Sequence, residues 1–583
     1  MGESAGSSSV AVLNKWSAAA PGGVKNERRV LFGFMLAWFV INCIQAAFMG
    51  LDGDEAYYWM LSRKLQWSYF DHPPMVALFI RLGESFGHGF LFTRLGTVLL
   101  STLTIGLIYR GLPGYLQKLK WFIIVYAATL VLNVYAFITT PDACLFFFAA
   151  LFFWRYKYFL EKENLANTLW LVIAITGMFY SKYHGILLVG FVVLSNPRLL
   201  LNKFFWLIVA LVTLLFLPYL YWQYHHDWAT VRFHLVERIA KQYELNFTTD
   251  YLLGQLLIWG PLTSVVFFIA IGKLKIKDRL MRAHVFMFAG TIGFFLVSSF
   301  KNTVEPHWTL IAGVSYVALF LLLLVNGTER FKTIFFKIAY INIGLILLAR
   351  IIFLIPDGPA NLIEHFRSFS YAKTWADQVY STAGKTPVVF ASSYALPSLY
   401  QYYHPDAQTF GYNDKGYRKT NFNIATDCFL DGQSVLYYTQ TDKLLPGAGT
   451  VIENEYNSGR LLPIDHYVCV QPLRIALEHA PETARPGQTL LLTITLTNKG
   501  TAAITPDPKL FIDYAFFIEK YNFINSDQRF IIPHKSLAPG ESMRIRIPVT
   551  TPEKPGAYRL LFSIVNGFIP GNFASNFYVI KVK

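Results

Sequence analysis

Charge is what this chain has least of. Only 15% of its 583 residues are Asp, Glu, Lys or Arg, against roughly 25% in a soluble domain, which excludes an ordinary water-soluble globular protein. No glycine-rich loop follows a strand, so a soluble nucleotide-sugar site has no footing. No internal repeat of the transporter kind is present. Cysteine is sparse: Cys43 and Cys144 fall in apolar runs, while Cys428 and Cys469 lie in a later polar region where a disulfide is permitted. The opening stretch "MGESAGSSSVAVLNKWSAAAPGG" has Gly6 where a myristoylation signal wants Ser or Thr. Its apolar part is too weak for a cleaved signal peptide. Residues 1–29 therefore read as a disordered cytoplasmic tail, and the apolar run after them as a retained first span.

What is abundant is apolar surface, with 54% hydrophobic and 17% aromatic residues. It is gathered into runs near the ~20 residues that cross a bilayer. Runs at 30–50, 90–109, 121–138, 143–160, 168–180, 185–194, 204–222, 251–271, 285–300, 309–325 and 334–355 predict about eleven helices. The formal net charge of +15 does not point to nucleic acid, because the basic residues bunch in alternate loops. Examples are Lys25, Arg28 and Arg29, then Arg110, Lys118 and Lys120, and later Lys273 to Arg282. Positive loops stay cytoplasmic. The chain thus reads as a multi-pass protein of the cytoplasmic (inner) membrane, with the N-terminus inside and everything past Ile355 outside. Its first partner is the lipid bilayer, and no nucleic acid is expected.

The membrane part, 30–356, ends at "FLIPDGPANL". From 357 to 471 strand-like and helical segments alternate, predicting a small extracytoplasmic α/β domain. From 472 to 583 regular strands are separated by "RPGQ", "APGE" and "KPGA", predicting an immunoglobulin-like β-sandwich. The fold class is accordingly a polytopic α-helical membrane protein with a C-terminal α/β segment and β-sandwich.

The loop after the first span, "LDGDEAYYWMLSRKLQWSYFDHPP", is too rich for a connector. Read as a surface-parallel helix, it sets Asp54 on one face with Tyr57, Tyr58, Leu61 and Leu65, while Glu55 points about 100° away. A helix-capping acid and an interfacial aromatic belt would explain this stretch taken alone. Other polar residues, however, fall at span ends on the same predicted outer side. They include Asp142, Lys182, His184, His226, Lys301, Glu305, His307 and Trp308. Ionisable residues at membrane depth are costly and mark sites. Carboxylates and cations at a membrane surface suit a sugar donor linked to a lipid phosphate. The cations Lys182, Arg232, Arg238 and Lys301 would hold the leaving phosphate. A carboxylate would take the proton from an acceptor hydroxyl.

The motifs "DEAYYW", "YFDHPPM", "RL" at Arg94, "TPDA", "SKYHGILL", "HDWATVRFHLVER" and "EPHW" resemble the polytopic glycosyltransferases that use polyprenyl-phosphate sugars. That GT-C-type family includes protein O-mannosyltransferases and the aminoarabinose transferase of lipid A. The resemblance covers about 30–355 and implies that Asp54 and Glu55 are the catalytic centre. From their outer position, against the positive-inside bias, Lys182 and at least one of Arg238 and Lys301 are expected to bind the donor phosphate. Substrate contacts would come from Tyr57, Tyr58, Asp71, His72, Arg94, Asp142, His184, His226, Glu305, His307 and Trp308. No cofactor is required by it, although a divalent metal is possible; His225, His226, Asp227, Glu305 and His307 could supply ligands without forming a zinc signature. The expected reaction is inverting transfer of one sugar to a lipid, glycan or protein acceptor. A transporter or channel with a sensory outer domain, or an oligosaccharide or phosphoryl transferase on the same carrier, is the alternative. The sandwich is foreign to the family plan. As a pendant module it is expected to leave transfer to a small acceptor largely intact when removed.

Overall fold

The computed structural model describes residues 21–234, 243–276, 278–424, 429–440, 448–519 and 522–583. Among these, seven helices are long and apolar enough to cross a membrane, or eight if one bent pair counts as a span. Two shorter apolar helices, Leu165–Ser181 and Gly185–Ser195, accompany them. The predicted apolar runs are largely helical, but three are not single α-helices: 309–325 opens in the 3-10 helix Pro306–Ala312 before Gly313–Asn326, and two others are broken. The run 121–138 is split into Leu119–Ala127 and Leu130–Val134. At the break, Thr129 Oγ1 donates to Val125 O (2.8 Å) and Asn133 Nδ2 donates to Ala127 O (3.0 Å). Asn342, from the last span, donates to Ala128 O (2.7 Å). These side chains satisfy carbonyls that hydrocarbon could not. The run 251–271 bends by 108° between Leu245–Ile258 and Thr263–Lys273. Its corner is Gly260 at φ 111°, followed by Pro261, which has no amide proton to give.

The helix after the first span is shorter than its periodicity predicts. It runs Gly53–Ser62 and stops before Leu65, which is exposed. Tyr69 closes its end, donating its hydroxyl to Leu61 O (2.9 Å) and Lys64 O (3.2 Å).

Past the last span, Glu329–Ile352, the chain forms a five-stranded sheet. Its order is Thr409–Tyr412, Val388–Ala391, Val435–Thr439, Gly459–Ile464, Thr450–Ile452, the first three parallel and the rest antiparallel. Helices Ser368–Ala383 and Ala395–Tyr403 accompany it. Two further sheets follow. One contains Leu473–Leu477, Thr489–Asn498 and Ser542–Thr550; the other is built around Leu510–Glu519, Gly556–Asn566 and Tyr578–Val582. Their inner faces pack together through Ile494, Val549, Tyr514 and Phe562, as in a sandwich. Cys469 is disulfide-bonded; Cys428 lies outside the described residues.

The sandwich is not pendant, contrary to the sequence expectation. One apolar cluster runs from Gly53–Ser62 through the five-stranded sheet into the sandwich core. Lys415 Nζ lies 2.6 Å from Asp513 Oδ2, with both side chains largely buried. Tyr412 OH donates to Pro570 O (2.8 Å), and the Lys415 amide to Gly571 O (2.9 Å). The loop after the first span is pressed against the same body: a Cβ on Gly53 would lie 2.6 Å from Ala395 Cβ. Breaking one partner of a buried ion pair leaves a charge without compensation and costs about 3–5 kcal/mol. Asp513→Ala should therefore lower the melting temperature of the full-length protein in detergent; an unchanged melt would contradict this role for the pair.

Candidate active site

The adjacent acids are separated by what surrounds them. Asp52 is the N-cap of Gly53–Ser62, accepting from the Asp54 amide (3.4 Å), and Glu55 reaches back to the Asp52 amide (3.3 Å). This capping box uses only part of Glu55. Its Oε1 also accepts from Arg94 Nε (2.8 Å) and from the Thr139 amide (2.8 Å). Arg94 in turn donates to the carbonyls of Ala46 (3.2 Å), Gly50 (2.7 Å) and Met49. Both side chains are 0% exposed. Glu55 and Arg94 thus form a clasp that ties the end of the first span to the start of Phe90–Gly111 and to the approach to Pro141–Glu161. Glu55 also borders the large cavity that Asp54 lines. The sequence expectation set Asp54 and Glu55 together as a catalytic centre and Arg94 against substrate; in the fold Glu55 and Arg94 are paired with each other.

Asp54 is different. It is half-buried, and its Oδ1 accepts the hydroxyl of Tyr394 at 2.6 Å; no described donor reaches Oδ2. It lines a cavity of about 1250 Å³. Burial and the Asp54 charge hold the Tyr394 phenol well above its ordinary pKa, so it stays a donor. Ser392, at φ 45°, turns the chain just ahead of it. Burial, with the neighbouring charges of Asp54 and Glu55, raises the Asp52 carboxyl to about 6.

Most of the polar residues expected at the site share this cavity. Tyr57, Tyr58, Asp71, His72, Asp142, Lys182, His184, Glu305, His307 and Trp308 all line it. Asp71 accepts from Tyr57 OH (2.6 Å) and Arg418 Nη1 (2.9 Å). His72 is kept neutral, its pKa depressed first by burial and then by Lys182 and other nearby cations. Lys182 Nζ meets Asp142 at 2.9 and 2.7 Å, and His307 Nε2 stands 3.8 Å from the same carboxylate.

Several expected residues are elsewhere. Lys301 is exposed in the turn that closes Arg279–Ser299 and does not line the cavity. His226 stacks on Trp222, with ring centroids 3.9 Å apart, and is also off the lining, as is Arg232. Arg238 lies outside the described residues. Among the described residues, no group of three or more His, Cys, Asp or Glu side chains is arranged to hold a metal ion.

The cavity also has residues that sequence reasoning missed. Arg350, in the last span, donates from Nη2 to Asn42 Oδ1 (2.6 Å) and Asn133 O (2.7 Å), while its buried Nε has no partner. No carboxylate among the described residues pairs with it. A single Arg inside "ILLARIIF" was the available signal. Tyr394, Arg418 and Lys419 come from the region after the spans, and Phe517, Phe573 and Phe577 from the sandwich.

Residues 71–222 match the family model described as dolichyl-phosphate-mannose-protein mannosyltransferase. No curated protein matches the chain. Among solved structures it is similar to ArnT from Cupriavidus metallidurans in the apo state. The identity there is 13%, with 74% of this chain and 98% of that chain covered, at a TM-score of 0.56. The same protein bound to undecaprenyl phosphate gives 14% identity, 76% and 98% coverage, and a TM-score of 0.51. At such identity the likeness is one of fold, and that fold is GT-C-like. Family match and fold together support glycosyltransferase activity. A membrane transferase with a polyprenyl-phosphate-linked sugar as donor is consistent with them.

The clasp can be tested apart from chemistry. Glu55→Gln leaves the fully buried Arg94 without its counter-charge and should cost about 3–5 kcal/mol of stability. Asp54→Asn, on the cavity side, should leave the melting temperature within the error of the wild type. Equal melts for the two variants would refute the division.

Proposed function

We propose that the chain is an inverting glycosyltransferase that moves one sugar from a polyprenyl phosphate to an acceptor hydroxyl, with Asp54 as general base. The observation carrying this reading is the state of Asp54: a cavity carboxylate consumed neither by capping nor by an ion pair, with one oxygen held by Tyr394 and the other open. In a single displacement the acceptor oxygen attacks the anomeric carbon as its proton passes to Asp54 Oδ2. The bond from that carbon to the phosphate oxygen breaks, and polyprenyl phosphate leaves with the electron pair. One displacement inverts the anomeric configuration.

The leaving phosphate needs a cation that is not already neutralised. Lys182 is balanced by Asp142, and Arg418 by Asp71. Arg350 has no such partner and borders the apolar lining given by Met49, Val134, Ile346 and Phe353, surroundings suited to a prenyl chain. Arg350 therefore takes the phosphate, with Lys182 close to the reacting centre and charge-balanced until donor arrives. On the positive-inside pattern the site faces outward. Residues 30–356 are then the membrane transferase, 357–471 an extracytoplasmic α/β domain and 472–583 an immunoglobulin-like sandwich. A transporter would instead place its acids in mid-span, whereas these stand at span ends.

Transfer from a radiolabelled polyprenyl-phosphate sugar should fall about 10²–10⁴-fold in Asp54→Asn, as expected for a lost general base; near-normal turnover would remove Asp54 from that role. Arg350→Gln should weaken undecaprenyl phosphate binding about tenfold or more, the range of one lost charge-assisted bond. Unaltered affinity in a folded Arg350→Gln protein would assign the phosphate elsewhere.

A further inference from the structure

Strand Leu510–Glu519 carries apolar residues in both registers, with Asp513 interrupting the one that faces away from the core. Ile512, Tyr514 and Phe516 point into the sandwich core. Ala515 and Phe517, in the alternate register, form a separate cluster with Leu561 and Phe573, against which Phe523 and Phe577 pack. A sheet with one core face ordinarily carries polar residues on the other. Here that other face supplies Phe517, Phe573 and Phe577 to the cavity that contains Asp54. The two are joined by a short series of contacts. Lys419 Nζ lies 5.5 Å from the Phe573 ring centroid, and Arg418 lies 4.5 Å over the ring of Tyr394, which donates to Asp54.

We propose that this outer face of the sandwich is an acceptor subsite and that the acceptor it takes is a saccharide. The proposal rests on the reading of the chain as a transferase with Asp54 as base. Phe577 is the partly exposed ring, backed by the buried Phe517 and Phe573. Such a ring accepts the C–H face of a sugar, while Arg418, Lys419 and Tyr417 on the same cavity lining bring polar groups near its hydroxyls, the mixture of apolar wall and few polar groups that ligand sites use. An extended peptide would instead add to a free sheet edge through its backbone, and this wall is a face. An acyl chain would set hydrocarbon against two cations, which costs their hydration. A hydroxyl of the bound sugar then gives its proton to Asp54 as its oxygen forms the new bond to the donor's anomeric carbon. The product is a glycosidic linkage, and polyprenyl phosphate is released.

The test uses the full-length protein in nanodiscs, applied to a glycan array and a peptide array, with undecaprenyl phosphate binding measured in parallel. Saccharide binding is expected in the wild type and should weaken about tenfold or more in Phe577→Ala. Phe577→Trp, which keeps a ring, should retain it, and all three proteins should bind undecaprenyl phosphate. Binding to peptides alone, absence of saccharide binding, or full saccharide binding by Phe577→Ala would each overturn the proposal. A wild type that takes saccharides through Phe577 yet ignores undecaprenyl phosphate would support the subsite and overturn the donor reading instead.

Discussion

The arrangement depends on the buried contact between Glu55 and Arg94. Arg94 stands near the start of one span and gathers the last carbonyls of another, while Glu55 joins it to a capping box and to the Thr139 amide. Two charges at 0% exposure are tolerable only because every oxygen and most of the guanidinium have partners. Such a pair contributes specificity of position more than net stability. It fixes where Gly53–Ser62 begins, and so where the next carboxylate over, Asp54, must point.

From that fixed point the division of labour between neighbouring acids follows. In a helix, successive side chains diverge by about 100°: Glu55 is held in the clasp while Asp54 meets Tyr394, and both border the cavity. The α/β segment then meets Asp54 from the other side through Tyr394, and Asp71 through Arg418. Three parts of the chain wall one cavity, the sandwich among them.

Much of this was legible in the sequence. Asp54, Asp142, Lys182 and His307 stood out because ionisable residues at span ends have no cheap explanation, and the cavity collects them. Lys301, picked out by the same rule, is exposed and off the cavity lining: a cation at a helix end can simply face water, and hydropathy cannot tell a turn that points outward from one that points in. Glu55 was set apart from Asp54 by its helical angle, which could not reveal Arg94 as its partner. Tyr394 lies 340 residues from Asp54 in a stretch whose composition is ordinary, and only tertiary packing joins them. Strand Leu510–Glu519 escaped notice for a physical reason. With Ala515 and Phe517 interleaved among its core-facing residues it lacks the clean period-two alternation that marks a strand, and Phe517 belongs to the cavity's aromatic wall.

The central claim is that Asp54, and not Glu55, meets the reacting centre. The most direct measurement is a structure with a non-cleavable polyprenyl-phosphonate sugar bound. The account predicts the phosphonate beside Arg350 and the anomeric carbon roughly 3–3.5 Å from a water or hydroxyl that donates to Asp54 Oδ2. A sugar seated away from Asp54, or a clasp opened so that Glu55 faces the anomeric carbon, would contradict it.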